Sequence, residues 1–148
     1  MNVEKIIKTE KQMPLEARTI IHLILVQNKT TEIVANALKP FEVSQQQFNV
    51  LRILRGQRGK PANLSTINER MVAKMSNTTR LIDKLLARGY VQRIVCEANR
   101  RKVEITITEA GIAALSKMDK AVSKAEKVIL QNFNKKELKQ LNSLLDKF

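Results

Sequence analysis

Within the stretch "MSNTTRLIDKLLARGYVQR" (Met75–Arg93), Ser76, Asn77, Thr79, Arg80 and Lys84 offer hydroxyls, a carboxamide, a guanidinium and an ammonium. A guanidinium holds a rigid fork of N–H donors that fits guanine O6 and N7, or a phosphate. A carboxamide matches adenine N6 and N7, while hydroxyls, ammonium groups and free backbone N–H groups suit phosphate oxygens. Further on, "VQRIVCEANRRKVEITIT" (Val91–Thr108) places Arg100 and Arg101 between two runs of alternating β-branched residues. Paired cations on such a turn suit a minor groove, whose negative potential deepens where it narrows. The inventory offers little else. His22 and Cys96 are the only histidine and cysteine, too few for a zinc site or a supported catalytic triad. The four glycines make no phosphate loop. No enzyme activity, metal or cofactor is expected.

Charge supports a nucleic-acid reading. The 148 residues carry a net charge of +13, and residues 52–102 hold 13 Lys/Arg against 3 Asp/Glu, a net of +10. A positive field concentrated in one third of the chain favours anionic partners. Aromatic residues make up only 3%, which disfavours single strands and RNA, whose bases stack on aromatic platforms. The hydrophobic fraction of 43% supports one core. Met1–Met13 is polar and charged, and the apolar run Ile20–Val26 is far too short to span a bilayer. With an unpaired cysteine, these features predict a soluble cytoplasmic protein with no membrane partner.

Several elements must position those donors. Pro14 to Lys39 reads as a long helix with Ile20, Ile21, Ile24, Leu25, Ile33, Val34, Ala37 and Leu38 at helical spacing. Around Ile20–Val26 it is apolar on too many sides for one buried face, which suggests a partner subunit. Ser44 and Gln47 have the form of a capping box opening a helix that stops at Gly56. Asn63 or Ser65 caps a short helix over roughly Leu64–Val72. Ser76 then opens a helix that ends at Gly89, a good left-handed C-terminal residue.

In that helix Thr78, Leu81, Ile82, Leu85 and Leu86 share one face, and Ser76, Asn77, Arg80, Asp83, Lys84 and Ala87 lie opposite. The outer face has the width and polarity to lie in a major groove. Asp83 there repels phosphate unless Arg80 or Lys84 neutralises it. Thr108 caps a helix from Glu109 to about Gln131, and Asn134 with Glu137 opens the last one. Two short helices, a tight turn and a hairpin make a winged helix-turn-helix. The chain is mainly α with a small two- or three-stranded β-wing.

The chain resembles the MarR family of bacterial transcription regulators over nearly its whole length. The family's Thr-Arg-Leu-x-Asp-x-Leu core, followed by Gly-aliphatic-x-Arg, is matched by "TRLIDKLLARGYVQR". Its Asp-Arg-Arg, strand and Leu-Thr-x-x-Gly run is matched by "NRRKVEITITEAG", with Asn99 for the aspartate and Ile107-Thr108 for Leu-Thr. Asn99 can hydrogen-bond Arg101 but cannot form the family's ion pair.

The resemblance implies one unit over 1–148, with dimerisation helices at 1–40 and 109–148 and a DNA-binding region at 44–108. It implies a homodimer on a pseudo-palindromic operator of double-stranded DNA. Such a protein is expected to be a sequence-specific repressor released by a small effector. The recognition helix would span about 76–88, and recognition positions carry over to Ser76, Asn77, Thr79, Arg80 and Lys84. The wing positions are Arg101 and its neighbour Arg100. An aromatic or lipophilic effector would lie in a cleft between dimer helices and DNA-binding region, where Arg18, His22 and Gln27 supply polar groups. Oxidation-sensing members use a reactive cysteine near the N-terminus, whereas Cys96 lies at the wing, so an inert thiol is expected. The alternative function is nonspecific or architectural DNA binding.

Overall fold

A computed structural model describes residues 1–73, 77–95 and 103–148. Asn2 opens a short helix α1 (Val3–Ile7) by accepting from the Lys5 amide at 2.9 Å. Five residues carry too little periodicity for the sequence to reveal this helix. Arg18 ties it down with a forked contact to Glu4, Nε to Oε1 at 2.6 Å and Nη2 to Oε2 at 3.3 Å. The Arg18 hydrogen bond holds the Glu4 carboxyl below its ordinary pKa. This tie is complete above the ordinary carboxylate range and is lost as pH falls through the lowered value.

Pro14 precedes the long helix α2 (Leu15–Leu38), within one residue of the expected span at each end. A 3-10 turn at Lys39–Phe41 follows. Helix α3 (Gln45–Gly56) begins with both halves of the expected box: the Gln47 amide donates to Ser44 Oγ at 3.2 Å, and the Ser44 amide donates to Gln47 Oε1 at 2.8 Å. Arg58 and Gly59, both at positive φ, turn the chain into the short strand β1 (Ala62–Asn63). Asn63 caps α4 (Leu64–Arg70), accepting from the Thr66 amide at 2.8 Å. Ser65 instead hydrogen-bonds Glu69 within that helix, so of the two expected caps Asn63 is the one used.

After α5 (Thr78–Ala87) come strands β2 (Val91–Val95) and β3 (Val103–Ile107). They pair antiparallel from Val91 opposite Ile107 to Val95 opposite Val103. β1 joins the far edge of β3, with Ala62 opposite Ile105, giving the order β1-β3-β2. The expected hairpin is therefore part of a three-stranded sheet, which removes the marginal stability of an isolated pair. Thr108 caps α6 (Glu109–Leu130), and the Asn134–Glu137 box opens α7 (Lys135–Leu145).

One core draws on α2 through α6. Leu51, Leu54, Ile67, Ile82, Leu85, Ile105, Leu115 and Met118 are all at most 2% exposed. Trimming one such side chain to Ala costs about 2–5 kcal/mol. The long outer helices are different. Ile20 and Ile24 of α2 and Leu144 and Leu145 of α7 stand exposed, and α7 buries none of its residues. No helix among the described residues is long and apolar enough to cross a membrane.

The end of α5 is locked to the start of α6. Gly89 adopts φ +69; its amide donates to Leu86 O at 2.9 Å and the Tyr90 amide to Leu85 O at 3.0 Å, a complete Schellman closure. The Thr108 amide donates to Tyr90 O at 3.0 Å. Its hydroxyl donates to Gly89 O at 2.6 Å and accepts from the Gly111 amide at 3.0 Å. A Cβ on Gly111 would lie 2.1 Å from Tyr90 O and 2.8 Å from Ile107 Cγ1. The backbone oxygen cannot swing away without breaking its bond to Thr108. Gly111→Ala is therefore expected to lose about 1–3 kcal/mol in urea unfolding; an unchanged midpoint would show that this junction is not tightly packed.

Candidate nucleic-acid interface

Helices α4 and α5 form the expected helix-turn-helix. Thr78, 3% exposed, donates its hydroxyl to Asn68 Oδ1 of α4 and so fixes the start of one helix on the other. Met71, at the end of α4, is buried and accepts from Asn49 Nδ2 of α3 at 3.5 Å. Ile82 and Leu85 anchor the inner face of α5 in the core. Asn77, Thr79, Arg80 and Lys84 are exposed on the outside, as expected.

The helix is shorter than the expected 76–88. It begins at Thr78, with Asn77 as N-cap at φ −127 and ψ 32. The Asn77 side chain makes no capping bond within α5. Ser76 lies outside the described residues, as do Arg100, Arg101, Cys96 and Asn99.

Asp83 is neutralised by neither of the two residues expected to do so. Its carboxylate pairs with Arg93 of β2, not with Arg80 or Lys84. Helix-surface neighbours three or one residue away compete poorly here, because β2 packs against α5 and brings a guanidinium alongside. The pair is exposed and contributes at most about 1 kcal/mol, but it removes a repulsive carboxylate from the outer face. Arg88 reaches Phe41 O at 3.1 Å and Glu42 at 3.0 Å, while Arg52, at 3.6 Å, and Arg55 pair with Asp119 of α6. Arg80 and Lys84 have no carboxylate partner among the described residues.

Beside the outer face lies a concavity of about 290 Å³ lined by Ser44, Gln47, Asn77, Arg80, Leu81 and Lys84. Ser44 and Gln47 were legible as a cap but not as neighbours of α5. The Ser-x-x-Gln box marks where a helix begins with free N–H groups; only the fold places that beginning beside Arg80. A wider cavity of about 610 Å³ lies between the end of α2 and the start of α3, with Thr31, Ala35, Lys39, Val43 and Gln46 among its walls.

The three expected effector residues do not line either cavity. Arg18 is engaged by Glu4, His22 is half-buried and Gln27 is exposed. Nine residues of helix turn Gln27 about 180° away from Arg18, so one chain alone does not bring the set together. No group of three metal-ligating side chains occurs among the described residues.

Comparison with known proteins fits this arrangement. The MarR family profile matches residues 43–103. The HTH-type transcriptional regulator PecS of Dickeya dadantii (strain 3937) is 32% identical over 108 residues, 71% of this chain. The matched stretch spans 64% of PecS. Two solved structures share the fold. A cysteine-to-serine mutant of Escherichia coli MarR complexed with operator DNA has TM-score 0.76 and 21% identity, over 99% of this chain and 98% of that one. Bordetella bronchiseptica BpsR, whose DNA binding is regulated by 6-hydroxynicotinic acid, has TM-score 0.79 and 21% identity, over 93% and 96%. A matching core profile, a relative that shares its sequence and a shared winged-helix architecture agree: the chain belongs to the MarR family.

Proposed function

We propose that this protein is a sequence-specific regulator of transcription that binds double-stranded DNA as a homodimer. The observation that carries the reading is the outer face of α5, where Asn77, Thr79, Arg80 and Lys84 are exposed while Thr78, Ile82 and Leu85 root the helix. An α-helix of that polarity fits a major groove, with its N-terminal residues at the base edges. Ser76 belongs to the same recognition segment. Arg100 and Arg101 reach the neighbouring minor groove from the wing. The operator complex of the E. coli relative supports this reading by analogy of fold.

The exposed apolar residues of the outer helices support the dimer. Ile20 and Ile24 on α2 with Leu144 and Leu145 on α7 give a second copy an apolar surface to cover. Two copies related by a twofold axis would read a pseudo-palindromic operator. Repression with release by a small aromatic or lipophilic acid completes the reading, supported by the ligand that regulates BpsR. Arg18, His22 and Gln27 would serve such a ligand where residues of two chains come together.

Three measurements test the proposal. Binding to the gene's own upstream DNA and to a scrambled duplex is expected to differ by about 10³ or more. About 6–10 phosphate contacts per dimer give a log–log salt slope of roughly −5 to −9. Equal affinity for upstream, scrambled and genomically selected fragments would favour an architectural binder instead, which the high net charge alone would also permit. Asn77→Ala and Arg80→Ala are expected to relax preference at particular base pairs by about 1–3 kcal/mol each, while Arg101→Ala weakens all duplexes alike. Equal losses on specific and random DNA for all three would remove the groove assignment. Ile24→Asp is expected to yield monomers in sedimentation experiments, and a dimer surviving it would place the interface elsewhere.

A further inference from the structure

We propose that the concavity between the start of α3 and α5 seats one phosphate of the DNA backbone, with the Gln47 carboxamide as the donor that positions it. This rests on the regulator reading above and adds a contact outside the recognition helix. Gln47 is only 4% exposed, yet it lines the concavity. Its Oε1 is taken by the Ser44 amide at 2.8 Å, which fixes the carboxamide plane. Its Nε2 has no partner among the described residues. That Nε2 keeps contact with solvent, since the buried unpaired atoms among the described residues are Gln57 Nε2 and Thr106 Oγ1, so the fixed amide is open to an external acceptor.

The surroundings fix the character of that acceptor. Arg80 and Lys84 line the same concavity, and among the described residues no carboxylate does. Asp83, the one acidic residue of α5, is held by Arg93. Ser44 Oγ accepts from the Gln47 amide, which leaves its proton to donate outward. The 12-residue helix α3 adds the positive end of its dipole at the same place. Each polar side chain in the wall can donate, two of them carry positive charge, and the occupant is an oxyanion.

Two sources of that chemistry exist, a phosphodiester and a free anion. Asn77, Arg80 and Lys84 belong both to this concavity and to the outer face of α5. A duplex engaged by that face passes its backbone here, and the phosphodiester is the assigned occupant.

Gln47→Glu isolates the donor. Glutamate at this position completes a capping box as well as glutamine does, so thermal unfolding is expected to stay unchanged. The substitution replaces the amide donor with a negatively charged oxygen. Affinity is expected to fall about 10–100-fold on upstream and scrambled duplexes alike, as for loss of a hydrogen bond to a charged group. Duplexes carrying a single methylphosphonate at successive positions locate the contact. At one position in each half-site, wild type should lose a comparable amount and Gln47→Glu should lose little more.

Wild-type affinity in a stably folded Gln47→Glu protein would overturn the proposal. So would a loss that no methylphosphonate position reproduces. Titration of the DNA-free protein with inorganic phosphate, followed by the Gln47 side-chain amide NMR signals, separates the sources. A response there with DNA affinity unaffected by Gln47→Glu would assign the concavity to a free oxyanion and overturn the DNA contact. A wild-type protein that binds no duplex would overturn the regulator reading as well, an outcome distinct from the selective failure of the variant.

Discussion

The architecture turns on the hydrogen bonds that Thr108 gathers. Four elements meet there: α5 ends, β2 begins, β3 ends and α6 begins. Its amide, donating to Tyr90 O, and its hydroxyl, shared between Gly89 O and the Gly111 amide, join all four without a buried charge. Gly111 is the steric counterpart, since any side chain would collide with the carbonyl that Thr108 holds. Helix α5, the paired strands β2 and β3 and the long helix α6 thus share one anchor. A shift of α6 relative to the winged helix would be felt first at the base of the helix that carries Arg80.

From that anchor the outer face of α5 is built by subtraction. Thr78 turns inward to Asn68, leaving Asn77 without a capping duty. Arg93 removes the negative charge of Asp83. What remains outward is a row of donors, and the start of α3 adds Ser44 and Gln47 beside it. No single residue in this row is unusual. Its character comes from the neighbours that occupy everything of opposite polarity.

Local signals account for what could be read in advance. Ser44 with Gln47, Asn134 with Glu137, and Thr108 are caps whose partners lie within three residues, so sequence spacing alone specifies them. The inner face of α5 was legible because burial of Thr78, Ile82 and Leu85 follows helical periodicity. The failures involve distance along the chain. Arg93 answers Asp83 from another element, β1 joins β3 from more than 40 residues away, and Gln47 meets α5 only in the fold. Ser76, a serine before an apolar run, imitates a cap, whereas the helix begins at Thr78 with Asn77 as its N-cap. Arg18, His22 and Gln27 share helix α2, where helical rotation sets Gln27 opposite Arg18.

The ion pairs of the winged helix also change what its charge means in solution. Of the nine Lys/Arg described between positions 52 and 102, Arg52, Arg55, Arg88 and Arg93 face carboxylates of the same chain. Those four are already attended by internal counter-charges and displace few mobile cations from a polyanion. The number of cations in this segment, as distinct from its net charge, therefore overstates how many groups can displace condensed ions from a duplex. On the DNA-binding reading proposed above, fewer cations of this segment are open to phosphate than its composition implies, and a larger share of any discrimination would fall to shape and hydrogen bonding.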